Sequence, residues 1–234
     1  MNLPEVLIDG QNLSIEDLII IRDGPAILKL DNAAKSRMQM SHNAILEIVN
    51  SEDLVYGINT GFGAMSNVRI NDQDLANLQV NLIRSHACGV GELMDPEHVL
   101  MMMAIRANSL AIGHSGIRPH VVEVIIELIN KRICPIVPRI GSLGASGDLA
   151  PLSHLALGLI GESDFVIEKD GIWELITPDE AFGKINHSFI NLQAKEGLSL
   201  INGTSQMCTF LAEAVHMLET LVFSADCSTA CSVE

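Results

Sequence analysis

The sequence predicts a mainly α-helical fold with a few short strands. Three observations carry this. Proline and acidic residues open apolar stretches of helical length, as at Asp95-Pro96-Glu97 and at Pro119, and proline at the first helical position gives up a donor that has no partner there. The chain is 48% hydrophobic but only 3% aromatic, with ten Met. Its core must therefore be built from Leu, Ile, Val, Met and Ala, and Met fills irregular gaps between helices. Strand signals are confined to short pieces: a segment at Asp53–Ile58, the connector at Pro135 and Pro138, and one Asp-Gly turn. The 234 residues suffice for one large domain or two small ones.

Element by element, Ser14 with Glu16 and Asp17 marks the start of a short helix through about Arg22. A longer helix is expected from about Pro25 to Val49, then a short extended segment from Asp53 to Ile58. That segment runs into the glycine-punctuated stretch Gly57 to Gly63, which must be a loop. Asn71, followed by Asp74, begins a helix through about Ala87, stopped by Gly89 and Gly91. The helix from Asp95-Pro96-Glu97 to about Ile112 is apolar nearly all round and is expected to be buried. Pro119 opens a helix ending near Lys131-Arg132, and Pro135 and Pro138 force an extended connector. Asp148 to Gly161 reads as a helix with Pro151 tolerated in its first turn. Phe165 to Ile176 reads as a hairpin around Asp170-Gly171. From Lys195 the pattern is helical again, with apolar positions through Leu211, Val215, Leu218 and Leu221. Cys227 to Glu234 carry no stop signal, which reads as a chain cut inside a longer protein.

The formal charge of −15 argues against nucleic acid, which needs a positive surface, and fits a soluble protein. The five Cys form no Cys-x-x-Cys pair, and no basic, apolar leader precedes them. They are expected to be reduced, mostly buried residues of a cytoplasmic protein. No stretch approaches the roughly 18 consecutive apolar residues of a membrane span. No metal cluster with ligand spacing appears, so no metal site is expected.

The chemically informative stretch is Gly141-Ser142-Leu143-Gly144-Ala145-Ser146-Gly147-Asp148-Leu149-Ala150-Pro151-Leu152-Ser153-His154. The residues alone leave three readings open. One is a glycine-rich loop with Ser146 as a helix cap. A second is an anion cradle in a non-enzymatic helical module, although the Gly-Lys-Ser/Thr of a phosphate loop is missing. A hydrolase elbow would need Gly-x-Ser-x-Gly, and here the second glycine comes one place early. The third is covalent. The Gly147 nitrogen has no neighbouring Cβ to shield it, and glycine permits the dihedrals of a tight ring. That nitrogen can attack the Ala145 carbonyl carbon. Loss of one water closes a five-membered ring, and loss of the Ser146 hydroxyl as a second water makes an exocyclic methylidene. The product, 4-methylidene-imidazol-5-one, is an electrophile needing no external cofactor.

The stretch from Gly141 to Ala156 resembles the signature of the histidine, phenylalanine and tyrosine ammonia-lyase family. Three further segments resemble it in the same order. Tyr56 to Gly63 is similar to the family's tyrosine loop, and the resemblance implies that Tyr56 is a candidate base for the β-proton; a phenol with a reference pKa of about 10 must be shifted or coupled to do this. Asn81 to Gly91 is similar to the segment that reads the substrate side chain. Phenylalanine-specific members carry an apolar pair where Ser85-His86 stands, and His86 offers a donor and an acceptor suited to imidazole or phenol. Lys195 to Ser205 is similar to the Lys-Glu-Gly-Leu…Asn-Gly-Thr segment, in which Asn202 would support the electrophile's oxygen or the substrate amine. Gly113 to Pro119 also matches and reads as scaffold, as does His154, a structural histidine one helical turn past the signature.

The resemblance implies the N-terminal head of an ammonia-lyase/fumarase-like helical-bundle fold, with residues 1–194 as the head and 195–234 as the truncated start of the central long-helix bundle. It implies elimination of ammonia from L-histidine to give trans-urocanate, with tyrosine ammonia-lyase or tyrosine 2,3-aminomutase as the alternative that Ser85-His86 leaves open. It covers about the first half of the family's length. The remaining half supplies a second tyrosine loop, an arginine for the substrate carboxylate and a carboxylate near the ring. The family is homotetrameric and each site draws on several subunits, so the fragment alone is expected to be inactive.

Overall fold

The structure, a computed structural model, describes residues 3–61 and 68–233, the side chains of Asp72 and Gln73 excepted. It opens with strand β1 (Glu5–Ile8), helix α1 (Ile15–Asp23) and strand β2 (Ile27–Leu30), with β1 and β2 paired in parallel. Ser14 caps α1 in a full capping box with Asp17. The long helix expected from Pro25 begins later, as α2 (Asn32–Asn50), because Ile27–Leu30 is taken up by the parallel pairing and Asp31 caps the helix at the Ala34 amide. Residues 53–55 are irregular and 56–59 form a turn, so the extended segment expected there is absent. Asn59 explains it: its side chain accepts from the Val55 amide and donates to the Asp53 carbonyl at 2.8 Å each, curling the chain on itself. Phe62 and Gly63 of the expected loop lie outside the described residues.

Next come α3 (Asp72–His86), strand β3 (Val90–Leu93), α4 (Pro96–Ala111), α5 (Pro119–Asn130), strands β4 (Ile133–Pro135) and β5 (Pro138–Ile140), and α6 (Leu149–Leu159). The expected hairpin is present as β6 (Phe165–Lys169) and β7 (Ile172–Ile176), with Asp170 and Gly171 both at positive φ. Helix α7 (Pro178–Ile185) follows, capped by Thr177 in a box with Glu180. The final helical stretch is broken into α8 (Glu196–Ile201) and α9 (Ser205–Val233). β3 pairs antiparallel with β5, and β4, β6 and β7 form a three-stranded antiparallel sheet.

The core sits around α4. Val99 to Ala104, Ala107, Leu110 and Ala111 are buried, and α4 packs against α1, α5 and α9. Trp173 donates to Glu97 at 2.8 Å and Arg132 lies over its ring, which ties the hairpin to the start of α4. Cysteine burial differs from expectation. Only Cys134 is fully buried, where lack of solvation pushes its thiol pKa up; Cys88, Cys227 and Cys231 are exposed, the last two because α9 leaves the body of the fold.

Ser205, Gln206, Thr209 and Ala212 bury the first turns of α9, whereas Met217, Leu218, Leu221, Val222 and Phe223 are exposed. By length and composition alone the region Glu196–Val233, α8 and α9 together, is apolar enough to cross a membrane. Helix α9 nevertheless carries Glu213, Glu219 and Asp226, and Glu213 is engaged by Arg22 of α1 at 3.1 Å and by His98 of α4.

Candidate active site

The tripeptide Ala145-Ser146-Gly147 lies in the connection between β5 and α6, with Ala145 and Ser146 exposed and Gly147 buried. Two glycines shape it: Gly144 has φ +71° and Gly147 φ +144°, a backbone that side chains strongly disfavour. Gly147 packs directly on Gly203. A Cβ on Gly147 would stand 2.7 Å from the Gly203 carbonyl oxygen and 3.2 Å from its carbon and nitrogen. The Asp148 amide donates to that same oxygen at 2.7 Å. The position therefore takes only glycine, and its backbone is held by the turn between α8 and α9.

Asp148 is fully buried. It occupies the cap position of α6 but makes no side-chain cap bond there. Its carboxylate instead accepts from Ser142 Oγ at 2.5 Å and from the Met207 amide, in the first turn of α9, at 3.0 Å. The residue expected to start α6 thus satisfies an orphan donor of another helix, and does so through charge. The break between α8 and α9 is fixed from several sides. Glu196, whose side chain is 0% exposed, takes a forked bond from Arg118 and accepts from the Gln193 amide at 2.8 Å. Lys195, at φ +69°, donates to the Ser115 carbonyl at 2.5 Å, and burial, helped by the nearby Arg106, lowers its pKa. The Gly113 to Pro119 segment thus braces the start of α8 through Ser115 and Arg118. Asn202 is exposed at the end of α8, its amide bonded to the Leu198 carbonyl at 3.1 Å.

The end of α3 approaches from the other side. Gly89 donates its amide to His154 Nε2 at 3.1 Å, and a Cβ on Gly141 would lie 3.1 Å from the Gly89 Cα and from the Ala150 Cβ. Because Nε2 accepts, the His154 proton sits on Nδ1, and burial lowers its pKa. His154 thus holds the Gly89 backbone. His86, half-buried, is the last residue of α3, with Nδ1 2.9 Å from the Leu82 carbonyl and 3.0 Å from Ser85 Oγ. The carbonyl requires a proton on Nδ1, which leaves Nε2 of the neutral ring as an acceptor. Tyr56 is 60% exposed in the turn at 56–59, which Asn59 ties to the Asp53 carbonyl and the end of α2.

The structure therefore brings Gly147 against the Asn202-Gly203-Thr204 turn and joins the His86-bearing segment to the stretch after β5. Tyr56 stands on a separate turn. A cavity of about 740 Å³ lies along another face of α3, lined by Asn77, Asn81, Arg84 and Glu162, and includes none of the tripeptide. Two residues were missed by sequence reasoning. Asp148 was read only as a helix start. Arg106 went unremarked, although it is the single charge between Val99 and Ala111; it is buried, and burial lowers its pKa to about 10.

A 4-methylidene-imidazol-5-one has no side chain on its glycine nitrogen's residue and needs that nitrogen close to the preceding alanine carbonyl. The side-chain-excluding contact at Gly147, its positive φ and the small exposed Ala145 and Ser146 fit such a group.

The family described as aromatic amino acid lyase matches residues 13–234. The chain is 44% identical over 229 residues to histidine ammonia-lyase of Deinococcus radiodurans, covering 97% of this chain and 43% of that protein. It superposes with a TM-score of 0.81 on histidine ammonia-lyase of Trypanosoma cruzi, at 38% identity over 90% of this chain and 40% of the other. It also superposes at 0.79 on tyrosine aminomutase of Streptomyces globisporus, at 35% identity over 90% of this chain and 38% of the other. The chain spans less than half the length of these relatives. With a mainly helical body, a glycine-framed Ala-Ser-Gly and a match over nearly its whole length, this chain belongs to the aromatic amino acid lyase family.

Proposed function

We propose that the whole protein carrying this chain removes ammonia from L-histidine to give trans-urocanate, using 4-methylidene-imidazol-5-one formed from Ala145-Ser146-Gly147 with no external cofactor and no metal. The observation that carries this reading is the contact of Gly147 with Gly203, which bars any side chain on the residue that bears the ring-forming nitrogen. Once formed, that group supplies an electrophile that improves ammonia as a leaving group or acidifies the β-proton. Residues of this chain supply part of the remaining machinery. His86 presents Nε2 as an acceptor for an imidazole N–H, its tautomer fixed by the Leu82 carbonyl. Asn202, beside Gly203, offers its amide to the ring oxygen or the substrate amine. Tyr56 is the candidate base. The amide groups opening α6, at Leu149 and Ala150, favour negative charge building on the ring oxygen.

The same reading divides the chain into a head, residues 1–194, and the start of a long-helix bundle, residues 195–234. We take the protein to be a cytoplasmic homotetramer with neither nucleic acid nor membrane as partner. The exposed apolar side of α9 supports association with protein, and its acidic residues fit that better than lipid.

The second reading is a tyrosine lyase or tyrosine 2,3-aminomutase, favoured by the Ser85-His86 pair, since His86 Nε2 can equally accept from a phenol. The test is a parallel assay of the whole protein with L-histidine, L-tyrosine and L-phenylalanine, alongside S146A and H86F. Urocanate from histidine, lost in S146A and in H86F, is expected. Coumarate or β-tyrosine as the main product selects the second reading. Unchanged histidine turnover in S146A overturns both.

A further inference from the structure

Arg106 is a cation in the middle of α4, the helix at the centre of the core. The residue is 3% exposed, and no carboxylate pairs with it among the described residues. Lys195, the nearby ionisable group, has the same sign and is no counter-charge. Nε has no hydrogen-bond partner among the described residues. An unpaired buried charge is costly, so its other contacts must return much of that cost. Those contacts converge on one place. Nη2 donates to the Ser199 carbonyl, and Nη1 lies against Gly203 so closely that a Cβ there would collide with it.

Ser199 stands in the last turn of α8, a six-residue helix too short to hold its own end. The guanidinium satisfies a terminal carbonyl and sits at the negative end of the helix dipole. Asp148 does the converse across the turn, placing a carboxylate at the positive start of α9. Gly203 is thus held between a cation ending one helix and an anion opening the next, and Gly147 rests on Gly203.

We propose that Arg106 is a positioning residue for ring closure, which fixes Gly203 and through it the Gly147 backbone nitrogen that must reach the Ala145 carbonyl carbon. This rests on the reading above that the tripeptide cyclises. In that step the bond from Gly147 N to Ala145 C forms. The Ala145 oxygen leaves as water with the amide protons of Gly147 and Ser146, giving the ring C=N bond. The Ser146 hydroxyl leaves with its Cα proton as the second water, and the Ser146 carbonyl remains as the ring oxygen. No oxidant or reductant is needed.

The test follows the mass of the peptide spanning residues 141–154 in the whole protein, sampled from the end of synthesis, for wild type, S146A, R106K and R106M, with a thermal melt of each. Wild type should lose two waters and S146A none. R106M should fold yet close its ring about tenfold to a hundredfold more slowly, the scale of an ångström's misplacement of a reacting atom. R106K, which keeps the charge but not the planar fork, should melt with wild type and close at an intermediate rate. If R106M does not fold, R106K decides alone. Closure at the wild-type rate in the folded Arg106 variants overturns the inference while leaving the cyclisation reading intact. A wild-type peptide that keeps both waters sinks that reading, and this inference with it.

Discussion

Gly147→Ala combines collision with backbone strain, and two other glycines separate the two. The added Cβ would meet the Gly203 carbonyl oxygen at 2.7 Å, closer than real Cβ atoms come, and both partners are backbone that no rotamer change can move. The φ of +144° adds conformational strain of about 1–3 kcal/mol. Overpacking adds about 1–3 kcal/mol more, for a total of about 2–6 kcal/mol. Two other glycines calibrate this. Gly171, at φ +78° with nothing within 4 Å, would show strain alone. Gly183, exposed in α7 with open space around it, should gain about 0.5–1 kcal/mol as alanine. The assay is thermal unfolding of the whole protein with each substitution, with the 141–154 peptide mass measured on the same samples. G147A should be the least stable of the three and should retain both waters. A G147A protein no less stable than G171A, or one that closes its ring, refutes the packing argument.

Asp148→Ala should strand the Met207 amide and the Ser142 hydroxyl. Loss of the cap costs about 1 kcal/mol and the unsatisfied donors about 1–3 kcal/mol, read as lowered resistance to denaturant. Glu196→Ala should cost about 3–5 kcal/mol in the same measurement, because it leaves the forked Arg118 guanidinium without its buried partner; a loss below about 1 kcal/mol would mean water replaces the carboxylate. His154 gives a pH signature. Burial lowers its folded pKa below the ordinary 6.5, so as pH falls through that value the unfolded chain takes up a proton that the folded chain does not. Stability should therefore drop on acidification below about pH 6.5. H154Q, whose amide oxygen can still accept from Gly89, should flatten that part of the profile, and an unchanged profile rules His154 out as its source.

The parts of the fold legible in the sequence were those with local chemistry. Ser14 and Asp17 close a capping box, Pro96 and Pro119 open α4 and α5, and Asp170-Gly171 turns the hairpin. Each of these is decided within a few residues. The β1–β2 pair was illegible because two four-residue strands gain their partners across α1, and nothing in Ile27–Leu30 alone excludes helix. Helix α7 did carry a readable signal, the Thr177-Pro178-Asp179-Glu180 start. Within the candidate site, the glycines around the tripeptide were legible as a loop, but the residues alone left three readings of Ala145-Ser146-Gly147 open. The function of Asp148 as a cap for α9, and of Arg106 under Gly203, depends on segments roughly 60 and 100 residues apart in sequence. A single charge between Val99 and Ala111 was the one local hint.

The measurement closest to the central claim is the mass of the 141–154 peptide from freshly purified, active whole protein. A peptide lighter by two waters in the wild type, and of unmodified mass in an inactive S146A, is the outcome this account predicts. A linear, full-mass peptide in an enzyme that turns over histidine normally would contradict it.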